Sequence, residues 1–309
     1  MKDLDTGGIL EPLLRRVRRD TSLDLEIREN YLNIYYRGGS MLRATPEARK
    51  PGKYKFFFNT NYASKAKAKK LNLPGSFVDS IAAVESWLAF VPNLKDTMDL
   101  WFGKHPKDER ALQQLVVWEN NDSPWASGTD YFIVDVEYDN HQGARFDMVA
   151  LQWESTRSKR KLPKGYRPRL AIIEMKAGDG ALKGRSGLQE HLKQYLKLVS
   201  DKKRLRAFRR EMVDVFRQKR ELKLIKGLLK NSNQVVEIDE SVEIIFLLAG
   251  HDPQSKKLST ILRQVQQDGL AGDLESSVKF CTANFTGFGL YRENIHPMSD
   301  FMTRFCEQI

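Results

Sequence analysis

The clearest pattern in the chain is a set of short apolar runs in its second half, each followed by a turn signal. The runs cover Tyr131–Tyr138, Arg145–Trp153, Leu170–Gly178 and Val242–Ala249. A short apolar run that a glycine closes is typical of a central strand covered on both faces. The Asp-, Asn- and Gly-containing stretch 139–143 separates the first two runs and predicts a hairpin.

Alternation of apolar and polar residues predicts a smaller β meander near the N-terminus. Its predicted strands are Leu23–Arg28, Tyr31–Arg37, Ser40–Arg43 and Lys53–Asn59, with a turn signal at Gly38 and Gly39. Tyr35, Tyr36 and Arg37 could stack against nucleic acid if they were exposed. Filling one face of the sheet is the interpretation that we favour for them.

Helices are predicted where apolar residues recur three or four positions apart. The predicted helices are Phe77–Phe90, Leu94–Phe102, Asp108–Asn120, Leu188–Ser200, Lys202–Lys230 and Leu258–Asp268. Pro92 separates the first two, because proline breaks or kinks a helix. The fold class is therefore α/β. We predict a β-rich extension over residues 1–64, a helical connector over 65–107 and an α/β domain over 108–309.

Charged residues interrupt two of the apolar strands. Glu174 and Lys176 stand two residues apart on the third strand, so their side chains share one face. Asp147 is set into the second strand. Burying an unpaired carboxylate or ammonium costs several kcal/mol, and chemistry is the usual reason to keep one in a strand. A surface ion pair is the plainer explanation, but the apolar flanks and the upstream aspartate favour a functional site.

An Asp on the second strand followed by Glu-X-Lys on the third resembles the PD-(D/E)XK nuclease-like superfamily. The resemblance covers roughly residues 108–250, and Phe146 stands where the family often has proline. It implies a restriction-endonuclease-like core: a helix, three antiparallel strands, a helix and a further strand, which form a mixed central sheet flanked by helices. It also implies a metal-dependent endonuclease that hydrolyses DNA, in a restriction or phage-defence setting.

The resemblance assigns roles to individual residues. Asp147 and Glu174 would bind Mg²⁺, for which Mn²⁺ can substitute, and their hard oxygen atoms suit these ions. Lys176 would act beside the metal on the attacking water. An acidic residue of the preceding helix is often a further ligand, and we prefer Glu109, with Gln113 one turn on, to Glu119. His191, four residues before Tyr195, is an accessory candidate where some branches carry glutamine, although a surface histidine is slightly favoured.

Composition supports a polyanionic partner. The 309 residues carry a formal net charge of +11, which favours nucleic acid, either DNA or RNA. Candidate phosphate-binding residues lie in the basic stretch 154–169, in the loop 179–187 and on the basic helix. They are Lys159, Arg160, Lys161, Lys183, Arg185, Arg206 and Arg210. Solvated loops and a solvated helix face explain the same charges equally well.

Other features limit the remaining function classes. The N-terminus has no apolar signal core and no apolar run is long enough to span a membrane, so we expect a cytoplasmic protein. Two cysteines without zinc-ligand spacing fit a reducing compartment. Two alternatives to the nuclease remain: an inactive nucleic-acid-binding module of the same fold, and a structural or regulatory subunit that binds an acidic protein. A homodimer and a complex with a partner subunit are both compatible with cleavage.

Overall fold

The computed structural model describes two compact units. The described residues are 2–63, 71–139, 145–228, 235, 237–252, 256–283 and 287–305. The first unit comprises Met1–Gln114 and Gln218–Leu224, and the second comprises Leu115–Arg217 and Ile225–Ile309. The segment 65–107, predicted as a connector, belongs to the first unit. Most of the predicted hairpin turn at 139–143 lies outside the described residues.

The first unit contains a five-stranded antiparallel sheet whose strands pair in chain order. The strands are β1 (Leu23–Ile27), β2 (Leu32–Tyr36), β3 (Gly39–Pro46), β4 (Tyr54–Phe57) and β5 (Phe77–Val78). Its helices are α1 (Glu11–Arg19), α2 (Ile81–Phe102) and the larger part of α3 (Asp108–Val117). Apolar residues of α1 and α2, among them Val17, Trp87 and Val91, bury one face of the sheet. The predicted meander is therefore confirmed.

The turn between β2 and β3 explains the glycine at position 38. Arg37 and Gly38 both have positive φ angles, as the two central residues of a type I′ hairpin turn require. A Cβ atom at Gly38 would lie 2.2 Å from the backbone oxygen of Arg110. Any side chain there would therefore have to displace α3. Tyr35 is buried and Tyr36 donates a hydrogen bond to Asp99, which confirms that these rings fill the sheet.

Two of the helix predictions in this unit are wrong. The chain forms one helix from Ile81 to Phe102 that passes through Pro92, because the buried stripe of the helix continues on both sides of the proline. Packing of that stripe outweighs the one backbone hydrogen bond that proline cannot make. Phe77 and Val78 form β5, and the helix begins only after Ser80, whose hydroxyl accepts a hydrogen bond from the Ala83 N–H.

The second unit is built on a six-stranded mixed sheet. Its strands are β6 (Tyr131–Asp139), β7 (Arg145–Gln152), β8 (Arg169–Ala177), β9 (Val242–Ala249), β10 (Val278–Ala283) and β11 (His296–Pro297). The spatial order is β11-β10-β9-β8-β7-β6. Strands β6, β7 and β8 are antiparallel, β8, β9 and β10 are parallel, and β11 is antiparallel to β10. The four apolar runs of the sequence are thus four adjacent strands.

Helices of the second unit bury one face of this sheet. They are α4 (Leu188–Ser200), α5 (Lys202–Glu221), α6 (Lys256–Gln267) and α7 (Met298–Phe305). Apolar residues of these helices share one core with Ile172 and Phe246 of the central strands. Helix α5 ends at Glu221 rather than continuing to residue 230, and its residues from Gln218 belong to the first unit. There the buried Lys219 ammonium donates to the buried Glu26 carboxylate over 2.8 Å. Within the described parts of the chain, no helix has both the length and the apolar character needed to span a membrane.

Candidate active site

The predicted site residues lie where strands β7 and β8 separate, a position that we call the fork. Strands β7 and β8 pair as far as Met148 and Ile173, and there the ladder between them ends. Beyond that point β7 continues beside β6 to Arg145, and β8 continues beside β9 to Ala177. The two strands are therefore held only by their outer neighbours at the position where both carry charged residues.

Asp147 is the first residue of β7 beyond the last pair with β8. Its Oδ2 atom accepts a hydrogen bond from the backbone N–H of Met175 over 2.9 Å. Because the ladder between β7 and β8 has ended, no backbone carbonyl of β7 accepts from the Met175 N–H, and the Asp147 side chain accepts from it instead. Asp147 and Glu174 each lie one residue beyond the last pair, Met148 and Ile173, so alternation along the strands assigns both carboxylates to the same face of the sheet.

Glu174 and Lys176 form a buried ion pair on β8. Their side chains are 1% and 3% exposed, and Lys176 Nζ lies 2.5 Å from Glu174 Oε1. Alternation along the strand puts both on one face, as the sequence predicts. Removing either partner would leave a buried charge with fewer compensating groups. The pair is therefore not the surface salt bridge that a Glu-X-Lys sequence most often forms.

Helix α4 supplies two further groups to Glu174. Leu188, Leu192, Tyr195 and Leu198 bury one stripe of this helix in the core, and the partly buried His191 lies one turn before Tyr195. The Tyr195 hydroxyl donates to Glu174 Oε2. His191 Nε2 lies 3.1 Å from Glu174 Oε1, and its Nδ1 lies 3.3 Å from the Tyr195 hydroxyl. His191 is therefore part of the cluster rather than the surface histidine that the sequence slightly favoured.

The environment of His191 keeps its ring neutral near pH 7. Burial, followed by the positive charge of Lys176, lowers the pKa of His191 from 6.5 to about 4. A neutral imidazole with its proton on Nε2 can donate to Glu174, so the contact is a hydrogen bond and not an ion pair. Both oxygens of Glu174 consequently accept from donors: Lys176 and His191 at Oε1, and Tyr195 at Oε2.

The donor set suits a hard cation. Asp147 and Glu174 offer carboxylate oxygens at the fork, and Mg²⁺ usually takes one or two carboxylates and completes its shell with water and phosphate. No group of three or more His, Cys, Asp or Glu side chains within the described chain is arranged to hold a metal. Asp147 and Glu174 are the residues at the fork whose oxygen atoms could hold such a cation.

The predicted site residues of helix α3 and the turn after it are divided between the two units. Glu109 and Gln113 lie on α3 within the first unit, whereas Asp147 and Glu174 belong to the second. Gln113 is fully buried, and neither its Oε1 nor its Nε2 has a hydrogen-bond partner among the described residues. Glu119, the other acidic candidate, lies in the helical turn Trp118–Asp122 of the second unit. The described contacts at the fork join Asp147, Glu174, Lys176, His191 and Tyr195, and none of them involves Glu109 or Glu119.

The predicted phosphate-binding residues fall into two groups. Lys161, Lys183, Arg185, Arg206 and Arg210 are exposed, and Lys159 is half-buried with its ammonium over the Tyr166 ring. Arg160 is only 2% exposed, and its guanidinium donates to the Thr129 carbonyl and lies over the Phe132 ring. Burial lowers its pKa to about 10. The prediction for Arg160 is therefore corrected: it packs the connection between β7 and β8.

Sequence reasoning missed two parts of this edge of the sheet. Tyr195 was noted beside His191, but only the structure joins it to Glu174. Asp179 and His251 each lie two residues beyond the end of β8 and β9, after a glycine, and Asp179 Oδ1 lies 2.9 Å from His251 Nδ1. Polar residues at the same distance from the ends of adjacent buried strands are a usable signal, because parallel strands end at the same edge of a sheet.

Comparison of the chain with protein-family models, with curated proteins and with solved structures gives no match.

Proposed function

We propose that the second unit is a metal-dependent nuclease that hydrolyses phosphodiester bonds of DNA, on a restriction-endonuclease-like core. One observation at the fork between β7 and β8 supports the proposal. Asp147 accepts a hydrogen bond from the backbone N–H of Met175, the residue between Glu174 and Lys176, which form a buried ion pair. Three antiparallel strands, a helix and a parallel strand follow one another here in the order that the core requires. A cytoplasmic setting and a role in restriction or phage defence are parts of the same proposal.

The residues of the cluster have distinct tasks. Asp147 and Glu174 would hold Mg²⁺, which when bound supplies a Lewis acid and lowers the pKa of a water molecule. Lys176 would orient the attacking water and compensate the negative charge that develops on the phosphate. Met175 N–H fixes the Asp147 carboxylate, and His191 and Tyr195 fix that of Glu174. These hydrogen bonds hold the reacting groups in one orientation.

Nicking of a supercoiled plasmid tests this function. Wild type, Glu174→Gln, Lys176→Met and Asp147→Asn would each be assayed with Mg²⁺, with Mn²⁺ and with EDTA. We expect metal-dependent nicking by wild type and a loss of about 100-fold or more in each variant. Equal nicking by all four proteins would show that the activity comes from another site or a contaminant.

The chain offers a matched control on the opposite face of the sheet. Glu243 of β9 is 1% exposed and is bound by Lys279, Arg169 and Tyr131. Because strand residues alternate, Glu243 faces away from Glu174. Glu243→Gln removes an equally buried carboxylate, so it should retain nicking once folding is verified. Loss of nicking in this variant would attribute the other losses to general destabilisation.

A non-cleaving nucleic-acid-binding module is the second candidate function. It is favoured by one observation: Lys176, His191 and Tyr195 already satisfy both oxygens of Glu174 without a metal. Such a module would bind DNA in a salt-sensitive manner, equally with Mg²⁺ and with EDTA, and would not nick the plasmid. The same purified wild-type protein therefore distinguishes the two candidates.

A further inference from the structure

The outer face of the first unit's sheet carries two exposed aromatic rings. Phe57 of β4 is 53% exposed and Phe77 of β5 is 69% exposed. Alternation along β4 sends Tyr54 and Phe56 into the core and leaves Lys55 and Phe57 outside. Leaving large apolar side chains in water is unfavourable, and two of them on neighbouring strands form a patch that a binding partner would cover.

Basic residues interleave with these rings. Arg43 pairs directly with Phe57, and Lys55 pairs directly with Phe77. Directly opposite residues on one face of an antiparallel pair lie side by side, so each ring has a cation as its neighbour. Phe57 and Phe77 are diagonal neighbours in the same register, which brings both rings within the span of successive bases.

The two cations are available to a ligand. Among the residues that the structure describes, neither Arg43 nor Lys55 forms an ion pair with an acidic side chain. The Arg43 guanidinium lies 4.4 Å from the centre of the Tyr31 ring, which supports it without neutralising it. Nearby Lys53 does pair with Asp79. Rings flanked by unneutralised cations match a ligand with flat apolar surfaces and regularly spaced anions.

We propose that this face, consisting of Arg43, Lys55, Phe57 and Phe77, binds single-stranded nucleic acid. Its two rings stack on unpaired bases, and its two cations contact the adjacent phosphates. Paired bases in a duplex are already stacked and hide their faces, so the face prefers single strands. The inference goes beyond the proposed cleavage and does not depend on it. It differs from the Tyr35–Arg37 hypothesis, since those aromatic rings are packed.

Binding of fluorescein-labelled oligothymidine to the full-length protein tests the proposal. Anisotropy would be measured in EDTA with wild type, Phe57→Leu/Phe77→Leu and Arg43→Ala/Lys55→Ala, and a duplex of equal length would be titrated in parallel. Leucine keeps an exposed apolar side chain but removes the ring. We expect the leucine variant to lose single-strand affinity by at least about tenfold, with little change for the duplex.

Salt dependence separates the cations from the rings. Each phosphate contact with a single strand contributes about −0.7 to the slope of log affinity against log salt concentration. Arg43→Ala/Lys55→Ala should therefore flatten the slope by about 1.4, whereas the leucine variant should leave it unchanged. Lys104→Ala/Lys107→Ala is the charge-matched control, because both lysines are exposed in the same unit but lie outside the sheet. Leu100→Ala, which removes another exposed apolar side chain, controls for the rings.

Three outcomes would overturn the proposal. The first is wild-type affinity in the leucine variant, and the second is an equal loss for single strand and duplex. The third is concentration-dependent self-association of wild type that Phe57→Leu/Phe77→Leu abolishes without affecting the oligonucleotide, which would assign the face to a second copy of the chain. Glu174→Gln separates this proposal from the nuclease, because it should abolish nicking and leave single-strand affinity unchanged.

Discussion

The ion pair between Glu174 and Lys176 gives a quantitative prediction about stability. Both side chains are almost completely buried, and their charged atoms are in hydrogen-bond contact. Removing one partner of a buried pair typically costs about 3–5 kcal/mol, because the other charge remains in a medium that solvates it poorly. Replacing both partners avoids that penalty. The two substitutions should therefore be strongly non-additive in the free energy of unfolding.

The surrounding hydrogen bonds set the expected values. Lys176→Met leaves Glu174 with Tyr195 and His191 as donors, so its cost should fall at the lower end, about 3 kcal/mol. Glu174→Gln keeps one acceptor oxygen for Lys176, and its cost should be similar, about 3 kcal/mol. The double variant leaves no unpaired charge and should cost no more than either single variant, about 3 kcal/mol, which corresponds to a coupling energy of about 3 kcal/mol.

Urea-induced unfolding in EDTA, followed by far-UV circular dichroism, measures this cycle. Glu243→Gln serves as the reference within the same unit, since that equally buried carboxylate has its own partners on the other face of the sheet. Combining Glu174→Gln with Glu243→Gln should give additive losses within about 0.5 kcal/mol. If the Glu174 and Lys176 substitutions were also additive, or if each cost below about 1 kcal/mol, the described burial of the pair would be wrong.

Three further predictions concern single side chains. Because the pKa of His191 is lowered from 6.5 to about 4, the unfolded chain binds this proton first as the pH falls. Between pH 6.5 and pH 4, wild type should therefore lose about 1–2 kcal/mol more stability than His191→Gln, a value that includes a reduction for solvent screening. Urea titrations at each pH measure this difference, and parallel curves of stability against pH for the two proteins would contradict it. Gln113→Met should raise stability by about 1–2 kcal/mol, because it removes a buried amide without partners among the described residues. Plasmid nicking should stay unchanged, and a loss of nicking would place Gln113 at the site. Burial raises the pKa of the Cys281 thiol to about 12, so iodoacetamide should modify Cys281 only in denaturant. Peptide mass spectrometry detects the modified cysteine, and its presence in the native protein would refute the burial of Cys281.

The strands of the second unit could be predicted closely from the sequence. The run Val242–Ala249 is a strand with those bounds, and the other three predicted strands differ from the structure by single residues at their ends. These strands are covered on both faces, so an uninterrupted apolar run marks each of them. The two-residue strand β11 contains no apolar run, so its sequence does not mark it as a strand. Its pairing with β10 is visible only in the structure.

The bounds and contacts of elements that depend on tertiary packing could not be predicted from the sequence. Helix α2 continues through Pro92 because residues on both sides are buried, and no local rule contains that information. Phe77 fits a helical pattern but belongs to β5, since backbone pairing with Lys55 fixes it there. The charge of Arg160 predicts a phosphate contact, whereas its side chain binds the Thr129 carbonyl and lies over the Phe132 ring, both about 30 residues earlier in the sequence.

The candidate site was accessible from the sequence only in part. Strand alternation is sufficient to put Glu174 and Lys176 on one face. The contact of Tyr195 and His191 with Glu174 depends on how α4 packs against the sheet, which their four-residue spacing does not specify. The hydrogen bond from Met175 to Asp147 forms where the ladder between β7 and β8 ends. No residue type in the sequence indicates where that ladder ends.

The fork between β7 and β8 has a consequence for how the protein could diversify. Each of its two arms is paired with an outer strand, β6 or β9, and these two ladders hold the arms in place. The connection between β7 and β8 joins the closed end of the fork, at Gln152 and Arg169, remote from the opening. Insertions or sequence drift in that connection would leave the spacing of Asp147 and Glu174 untouched. In the nuclease that we propose, contacts of this connection with DNA could then change while Asp147 and Glu174 kept their spacing.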